Sequence, residues 1–121
     1  MITAVHTLVY ADDPERARAF FRDVLGWPYV DAGHGWLIFG TGPSELGVHP
    51  TEGVGEQQHH QISLVCDDIR ATVADLEAKG VEFTQAVRDD GFGLTAILVV
   101  PGGGDMLLYE PRHPTAHGIG T

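Results

Sequence analysis

Histidine, glutamine and carboxylate side chains stand at the ends of predicted strands, where they could bind a divalent metal ion. His6 lies in the segment VHTLV, and the stretch HHQISLVCDDI, residues 59–69, begins with two histidines followed by Gln61. His49 and Glu110 each precede a proline at the end of an apolar segment. Imidazole nitrogens and carboxylate oxygens are common ligands of catalytic metals. The same residue types also occur at solvated strand ends, so both a metal site and a purely structural interpretation stay open.

An internal repeat predicts the elements that would position these side chains. VHTLV, residues 5–9, is typical of a strand, and DDPERARAFFRDVLG, residues 12–26, is typical of a helix. Asp13 is a helix-capping residue, Pro14 suits the first helical position, and Gly26 can end the helix. The segment QISLVCDDIRATVADLEAKG, residues 61–80, repeats the strand, the aspartate pair, the helix and the final glycine with a shift of 55 residues.

Each half continues with three strand-like segments. They are WPYVDA, GWLIFG and ELGVHP in the first half, and VEFTQAV, GLTAILVV and DMLLYEP in the second. The chain of 121 residues therefore reads as a single domain, 1–121. It consists of a βαβββ module over 1–50, a linker over 51–57, a second βαβββ module over 58–112, and a tail over 113–121 that is expected to be extended or disordered.

Composition and charge narrow the possible partners. Seventeen acidic residues against seven basic ones give a net charge of −10, which argues against binding nucleic acid or an anionic membrane. The single cysteine, Cys66, excludes an intrachain disulfide and fits a cytoplasmic location. We see no signal peptide, and the longest apolar run, Ala96 to Val100, is too short to span a bilayer. The sequence shows no phosphate-binding loop and no serine or cysteine nucleophile with a plausible histidine partner.

The paired modules resemble the vicinal oxygen chelate superfamily, which includes glyoxalase I, fosfomycin-resistance proteins, extradiol dioxygenases and bleomycin-resistance proteins. HTLVYADDPERARAFFRDVLGW looks like the opening of the first module, and CDDIRATVADLEAKGVEF looks like that of the second. The resemblance implies an α+β fold in which paired curved mixed sheets surround a cavity and the helices lie on the convex side. It also implies that the chain forms a homodimer.

Strand alternation suggests which side chains face that cavity. The face formed by Ile62, Leu64 and Cys66 is uniformly apolar and should pack under a helix. The opposite, more polar face carries Gln61 and Ser63, and the repeat maps His6 onto Gln61. The predicted cavity-lining residues are His6, Leu8, Tyr10, Trp36, Leu46, Gln61, Ser63, Phe92, Leu107 and Tyr109.

The resemblance also allows the metal hypothesis to be judged. Metal-dependent members of the superfamily carry a His or Gln on the first strand and a Glu or His on the last strand of each module. His6 and Gln61 fit the first-strand positions, but the last-strand positions fall on Leu46 and Leu107, which cannot ligate a metal. A shifted set would need bulges in three strands. That set is His6, His49, His60 and Glu110, with Glu45 as a further candidate.

Two functions compete on these grounds. The favoured one is a protein that binds or sequesters a small-molecule ligand in the cavity, with no cofactor and no catalytic metal. The alternative is a metal-dependent lyase, isomerase or dioxygenase that uses the shifted ligand set and a divalent metal. Whether the protein is an enzyme is therefore left open by the sequence.

Overall fold

The computed structural model describes residues 6–47 and 60–118. Within these ranges the fold is α+β. The first helix, α1, continues directly into a π-helical turn, and the second helix, α2, follows the third strand. In chain order the elements are α1 Pro14–Ala19, the π-helical turn Phe20–Val24, β1 Tyr29–Asp31, β2 Leu37–Phe39, β3 Ser63–Val65, α2 Ile69–Ala78, β4 Phe83–Asp89, β5 Gly93–Val100 and β6 Gly104–Pro111.

Local capping residues fix where the two helices begin and end. Asp13 and Asp68 each accept a hydrogen bond from the backbone N–H three residues later, at 3.2 and 3.1 Å. These bonds satisfy N–H groups that have no partner inside the helix. Gly26 and Gly80 adopt φ of 69° and 87°, the left-handed conformation that stops a helix. The predicted caps and stops are confirmed.

Among the described residues, the strands form one four-stranded and one two-stranded sheet. The larger has the order β3-β6-β5-β4, with β3 parallel to β6 and the other neighbours antiparallel. The smaller is the antiparallel hairpin of β1 and β2. The four strands predicted for the second module therefore pair in one mixed sheet.

Both helical segments pack against the same face of the four-stranded sheet, which we call the helix face. Two connections hold α1 there: the backbone N–H of Asp13 donates to the carbonyl of Gly102 at 3.0 Å, and Gly103 lies against Ala17. Gly102 permits this approach, since its φ is 74° and an added Cβ would lie 2.6 Å from the Asp13 carbonyl oxygen. The shared core comprises Ala17, Phe20, Phe21, Ile69, Leu76, Ala96, Leu98, Val100, Met106 and Leu108.

The first module departs from its predicted strands. Residues 6–9 of the predicted strand 5–9 do not form a strand, and Val5 lies outside the described residues. Residues 45–47 of the predicted third strand are likewise not in a sheet, and 48–50 lie outside the described residues. A strand needs a partner as well as a suitable sequence. Leu8 and Tyr10, which are 55% and 90% exposed, have no covering layer in the described chain.

The beginning of the predicted tail lies within the described residues. Ala116 in the tail and Arg112 just before it hydrogen-bond to the two halves of the chain, as detailed below. The tail boundaries stay a prediction. Within the described ranges, no helix combines the length and apolar composition that crossing a bilayer would need.

Candidate functional site: the open face of the four-stranded sheet

The face of the larger sheet opposite the helices presents a mixed apolar and polar surface, which we call the open face. The strand register brings its side chains together, because residues that pair directly across neighbouring strands point to the same side. Ser63 pairs with Leu107, Leu107 with Ile97, and Thr95 with Tyr109. By alternation the face comprises Ser63, Val65, Thr95, Ile97, Val99, Asp105, Leu107 and Tyr109.

An aromatic pair stands at one end of the open face. The rings of Phe92 and Tyr109 lie 5.7 Å apart, and the Tyr109 hydroxyl donates to the Phe92 carbonyl at 3.4 Å. The Tyr109 ring covers Gly93, where an added Cβ would lie 2.5 Å from the ring edge. Burial, with a smaller effect of the Glu45 carboxylate, raises the pKa of Tyr109. The phenol is therefore neutral at physiological pH and can donate a hydrogen bond.

A buried threonine organises polar side chains beside this aromatic pair. Thr95 is 1% exposed, and its hydroxyl donates to Asp90 at 2.7 Å and accepts from the Gln85 amide at 3.1 Å. Arg88 pairs with the other oxygen of Asp90 at 2.7 Å. The Thr95 hydroxyl, followed by Arg88, lowers the pKa of Asp90. Gln85 and Asp90 are thereby held in fixed positions.

This polar group was not predicted from the sequence. The sequence feature that could have indicated this group is Thr95, the only polar side chain in the segment GLTAILVV. Alternation places Thr95 on the face opposite Ala96 and Leu98, and a polar residue in an otherwise apolar strand favours a buried hydrogen bond.

A pocket of about 340 Å³ opens where β3 ends and β6 meets the tail. Cys66 lies in its wall, and the thiol contacts the carbonyl of Tyr109 at 3.7 Å. Burial raises the pKa of this thiol, so Cys66 stays protonated and is a poor nucleophile. The pocket is lined by Val65, Cys66, Asp67, Glu110, Pro111, Thr115 and His117.

The Glu110 side chain caps the first turn of α2. One carboxylate oxygen accepts a hydrogen bond from the backbone N–H of Ile69, the first residue of α2, at 2.9 Å. Glu110 pairs with Leu94 on the helix face, whereas Leu107 and Tyr109 lie on the open face. Pairing of β5 with β6 runs without a register shift from Gly93 to Val100. The bulge that would turn Glu110 towards the open face is therefore absent from β6.

The other predicted ligands are not brought together in the described part of the chain. His6, His60 and Gln61 are exposed, and His49 lies outside the described residues. Glu45 accepts a hydrogen bond from the backbone N–H of Ala116 at 2.7 Å. Over residues 6–47 and 60–118, no three His, Cys, Asp or Glu side chains form a group that could hold a metal ion. The shifted ligand set, which includes His49, stays a prediction.

The predicted cavity-lining residues fall into two groups. Ser63, Leu107, Tyr109 and Phe92 lie together on or beside the open face, and Gln61 precedes Ser63 on the same side by alternation. His6, Leu8, Tyr10 and Leu46 are exposed. Trp36, 57% exposed, lies beneath the guanidinium of Arg18 at 5.0 Å. That both groups line one cavity stays a prediction.

Comparisons with known proteins agree with this architecture. No curated protein matches the chain. A solved structure of TnmS3, an antibiotic binding protein from Streptomyces sp. CB03234, is 23% identical, with a TM-score of 0.66 over 92% of this chain and 98% of that one. Lactoylglutathione lyase from Agrobacterium tumefaciens is 22% identical, with a TM-score of 0.63 over 91% and 95%. At these identities the likeness establishes the fold alone.

A third similar structure comes from Sphaerobacter thermophilus DSM 20745. It is a member of the glyoxalase/bleomycin resistance protein/dioxygenase superfamily, 23% identical, with a TM-score of 0.63 over 90% of this chain and 98% of that one. The family model for Glyoxalase/Bleomycin resistance protein/Dioxygenase superfamily matches residues 3–113, nearly the whole chain. The chain belongs to this superfamily.

Proposed function

We propose that the protein binds a small molecule on the open face, without a catalytic metal, and so sequesters or carries it. The observation that carries the proposal is the aromatic pair Phe92 and Tyr109 beside the fixed polar groups of Gln85 and Asp90. Small-molecule sites typically combine apolar and aromatic walls with a few oriented polar groups. Phe92 is 57% exposed, so its ring is accessible to a ligand.

The chemistry of the residues disfavours the metal-dependent alternative. Leu107 stands on the open face with no lone pair to offer. Leu46, its counterpart in the first module, is also a leucine and is 80% exposed. Glu110 is bonded to the first turn of α2. The description of TnmS3 as an antibiotic binding protein supports ligand binding as a use of this fold, although one fold hosts many functions.

The proposal includes a homodimer. Exposed large apolar side chains mark interaction surfaces when they occur together. Leu8, Tyr10 and Leu46 are 55%, 90% and 80% exposed in the single chain, and β3 is an edge strand of the larger sheet among the described residues. A second copy would cover such surfaces. The lone cysteine, Cys66, fits a cytoplasmic location for this assembly.

Thermal unfolding with a panel of ligands tests the binding proposal. The panel contains basic glycopeptide antibiotics and other antibiotics, with neutral and acidic aromatic compounds for comparison. A ligand at 100 times its dissociation constant stabilises the folded state by about 2.7 kcal/mol. We expect such a shift for at least one compound, its loss in Tyr109→Ala, and its retention in Tyr29→Ala. Tyr29 is a matched exposed aromatic on the two-stranded sheet.

Two outcomes contradict the proposal. One is the absence of any shift across the panel. The other is stoichiometric retention of Ni, Zn, Mn, Fe(II) or Co by untagged protein after incubation and desalting, since the proposed site needs no metal. Size-exclusion chromatography with light scattering tests the dimer separately, and a monomer at micromolar concentration contradicts that part.

A further inference from the structure

The segment Arg112–His117, which we call the strap, crosses from one half of the chain to the other. At its first residue, the Arg112 guanidinium donates two parallel hydrogen bonds to the Asp89 carboxylate, at 2.6 and 2.7 Å. The Arg112 side chain also donates to the Gly91 carbonyl at 3.4 Å, and its backbone N–H donates to the Phe92 carbonyl at 3.1 Å. Bidentate pairing fixes the direction as well as the position of the arginine. The strap therefore starts at the β4–β5 turn, beside the aromatic pair.

The far end of the strap is attached to the first half of the chain. The backbone N–H of Ala116 donates to the Glu45 carboxylate at 2.7 Å, across a separation of 71 residues. Between the two attachments, the His113 ring lies 5.8 Å from the ring of Tyr109. Thr115 and His117 complete the wall of the pocket at the end of β3. The strap thus runs past the Tyr109 end of the open face.

Both attachments are accessible to water. The side chains of Arg112 and Asp89 are 48% and 57% exposed, and the hydrogen bond from Ala116 to Glu45 is also exposed. Exposed ion pairs and hydrogen bonds are weak because water replaces them readily. Such a segment opens by local fluctuation, without unfolding the core beneath it.

We propose that the strap is a lid on the Tyr109 end of the open face, held closed by Arg112 and Ala116, and that ligands reach the Tyr109 ring when it opens. The inference rests on the proposed function for its ligand. The closed strap itself can be tested without one, through access of a reagent to Tyr109.

Nitration by tetranitromethane, mapped by mass spectrometry, measures that access. The three tyrosines provide internal references, since Tyr10 is 90% exposed and Tyr29 is 47% exposed. In the unmodified chain we expect Tyr109 to react more slowly than Tyr10. Arg112→Gln removes the paired bonds to Asp89. It should raise the Tyr109 rate by about two- to fivefold, as expected for loss of one exposed attachment, with no change at Tyr10.

Two further variants make the test specific. Ala116→Pro removes the backbone donor at the far end while leaving Glu45 in place, so it too should raise the Tyr109 rate. Arg22→Gln breaks an equivalent exposed bidentate pair, with Asp23 at 2.6 and 2.7 Å, far along the chain from the strap. Its Tyr109 rate should equal that of the unmodified chain.

Equal Tyr109 rates in the unmodified chain, Arg112→Gln and Ala116→Pro would overturn the lid. So would unchanged association rates in Arg112→Gln for a ligand that binds the unmodified chain, because a lid must slow access. A third outcome is that Tyr109 reacts faster in Arg112→Gln and Ala116→Pro than in the unmodified chain, while none of these proteins binds a ligand. That result would support the closed strap and overturn the proposed function. The two failures are therefore distinguishable.

Discussion

Replacing Glu110 distinguishes a helix-capping carboxylate from a metal ligand. Its oxygen is bonded at 2.9 Å to the N–H of Ile69, a residue that is 0% exposed. In Glu110→Ala this N–H loses its acceptor, which costs about 1–3 kcal/mol. Loss of negative charge near the start of α2 adds about 0.3–1 kcal/mol. We expect Glu110→Ala to lower the free energy of unfolding by about 1–4 kcal/mol.

The variant Glu110→Gln separates the hydrogen bond from the charge. Glutamine keeps an acceptor oxygen at the same position, so only the charge contribution of about 0.3–1 kcal/mol should be lost. Urea unfolding followed by circular dichroism measures both variants, with the denaturant slope checked for two-state behaviour. A loss below about 0.5 kcal/mol in Glu110→Ala, typical of a surface substitution, would refute the reasoning. Equal losses in the two variants would refute it as well.

In metal-binding experiments, Glu110→Ala and Glu110→Gln together distinguish the loss of a metal ligand from the displacement of α2. If Glu110→Ala lost metal, the loss could come from a displaced α2 instead of a missing ligand. Glu110→Gln retains the contact with Ile69 but replaces the carboxylate with a neutral, weaker ligand. A metal that is lost in Glu110→Gln from a fully folded protein would identify Glu110 as a ligand.

Three further measurements test the core, the strap and the open face. Leu98→Ala, at a residue that is 0% exposed, should lower the free energy of unfolding by about 2–5 kcal/mol. Val30→Ala, at a residue that is 66% exposed, should change it by no more than about 0.5 kcal/mol in the same denaturation assay. The bonds from Arg112 hold the pKa of Asp89 at about 2, below its usual value of 3.8. The pair therefore stabilises the chain above pH 3.8, and this contribution disappears as the pH falls through about 2. The Asp89 carboxyl resonance followed by NMR should titrate near 2, and its pKa should return towards 3.8 in Arg112→Gln. Gly93→Ala would place a Cβ 2.5 Å from a backbone oxygen of β6. It should lower the free energy of unfolding by about 1–3 kcal/mol. An unchanged free energy of unfolding would show that β5 and β6 separate easily at this point.

The parts of the fold that depend on local sequence were predictable. Asp13 and Asp68 cap the helices because a short carboxylate side chain reaches the N–H groups of the next turn. Gly26 and Gly80 end them because glycine tolerates positive φ. The strands of the second half were also recognised, since strand-like apolar segments are separated there by Gly-rich turns.

The remaining features depend on partners far away in the sequence. Residues 6–9 have the composition of a strand, but no pairing strand lies beside them in the described chain. The contact of Glu110 with Ile69 joins residues 41 positions apart, and no local pattern encodes it. The anchoring of Arg112 by Asp89 is equally nonlocal. For the candidate site, the sequence indicated Ser63, Leu107 and Tyr109 but gave no position for Gln85, whose role depends on the register between β4 and β5.

The shared core determines how this chain can be divided into fragments. Ala17, Phe20 and Phe21 from the first repeat are buried with Leu98 and Leu108 from the second, so the two repeats are no longer separate folding units. A fragment that carried only the second repeat would keep all four strands of the larger sheet and still expose the surface that the first helix covers. We expect such a fragment to aggregate or bind a hydrophobic dye. The repeat visible in the sequence therefore does not mark a place to cut the protein.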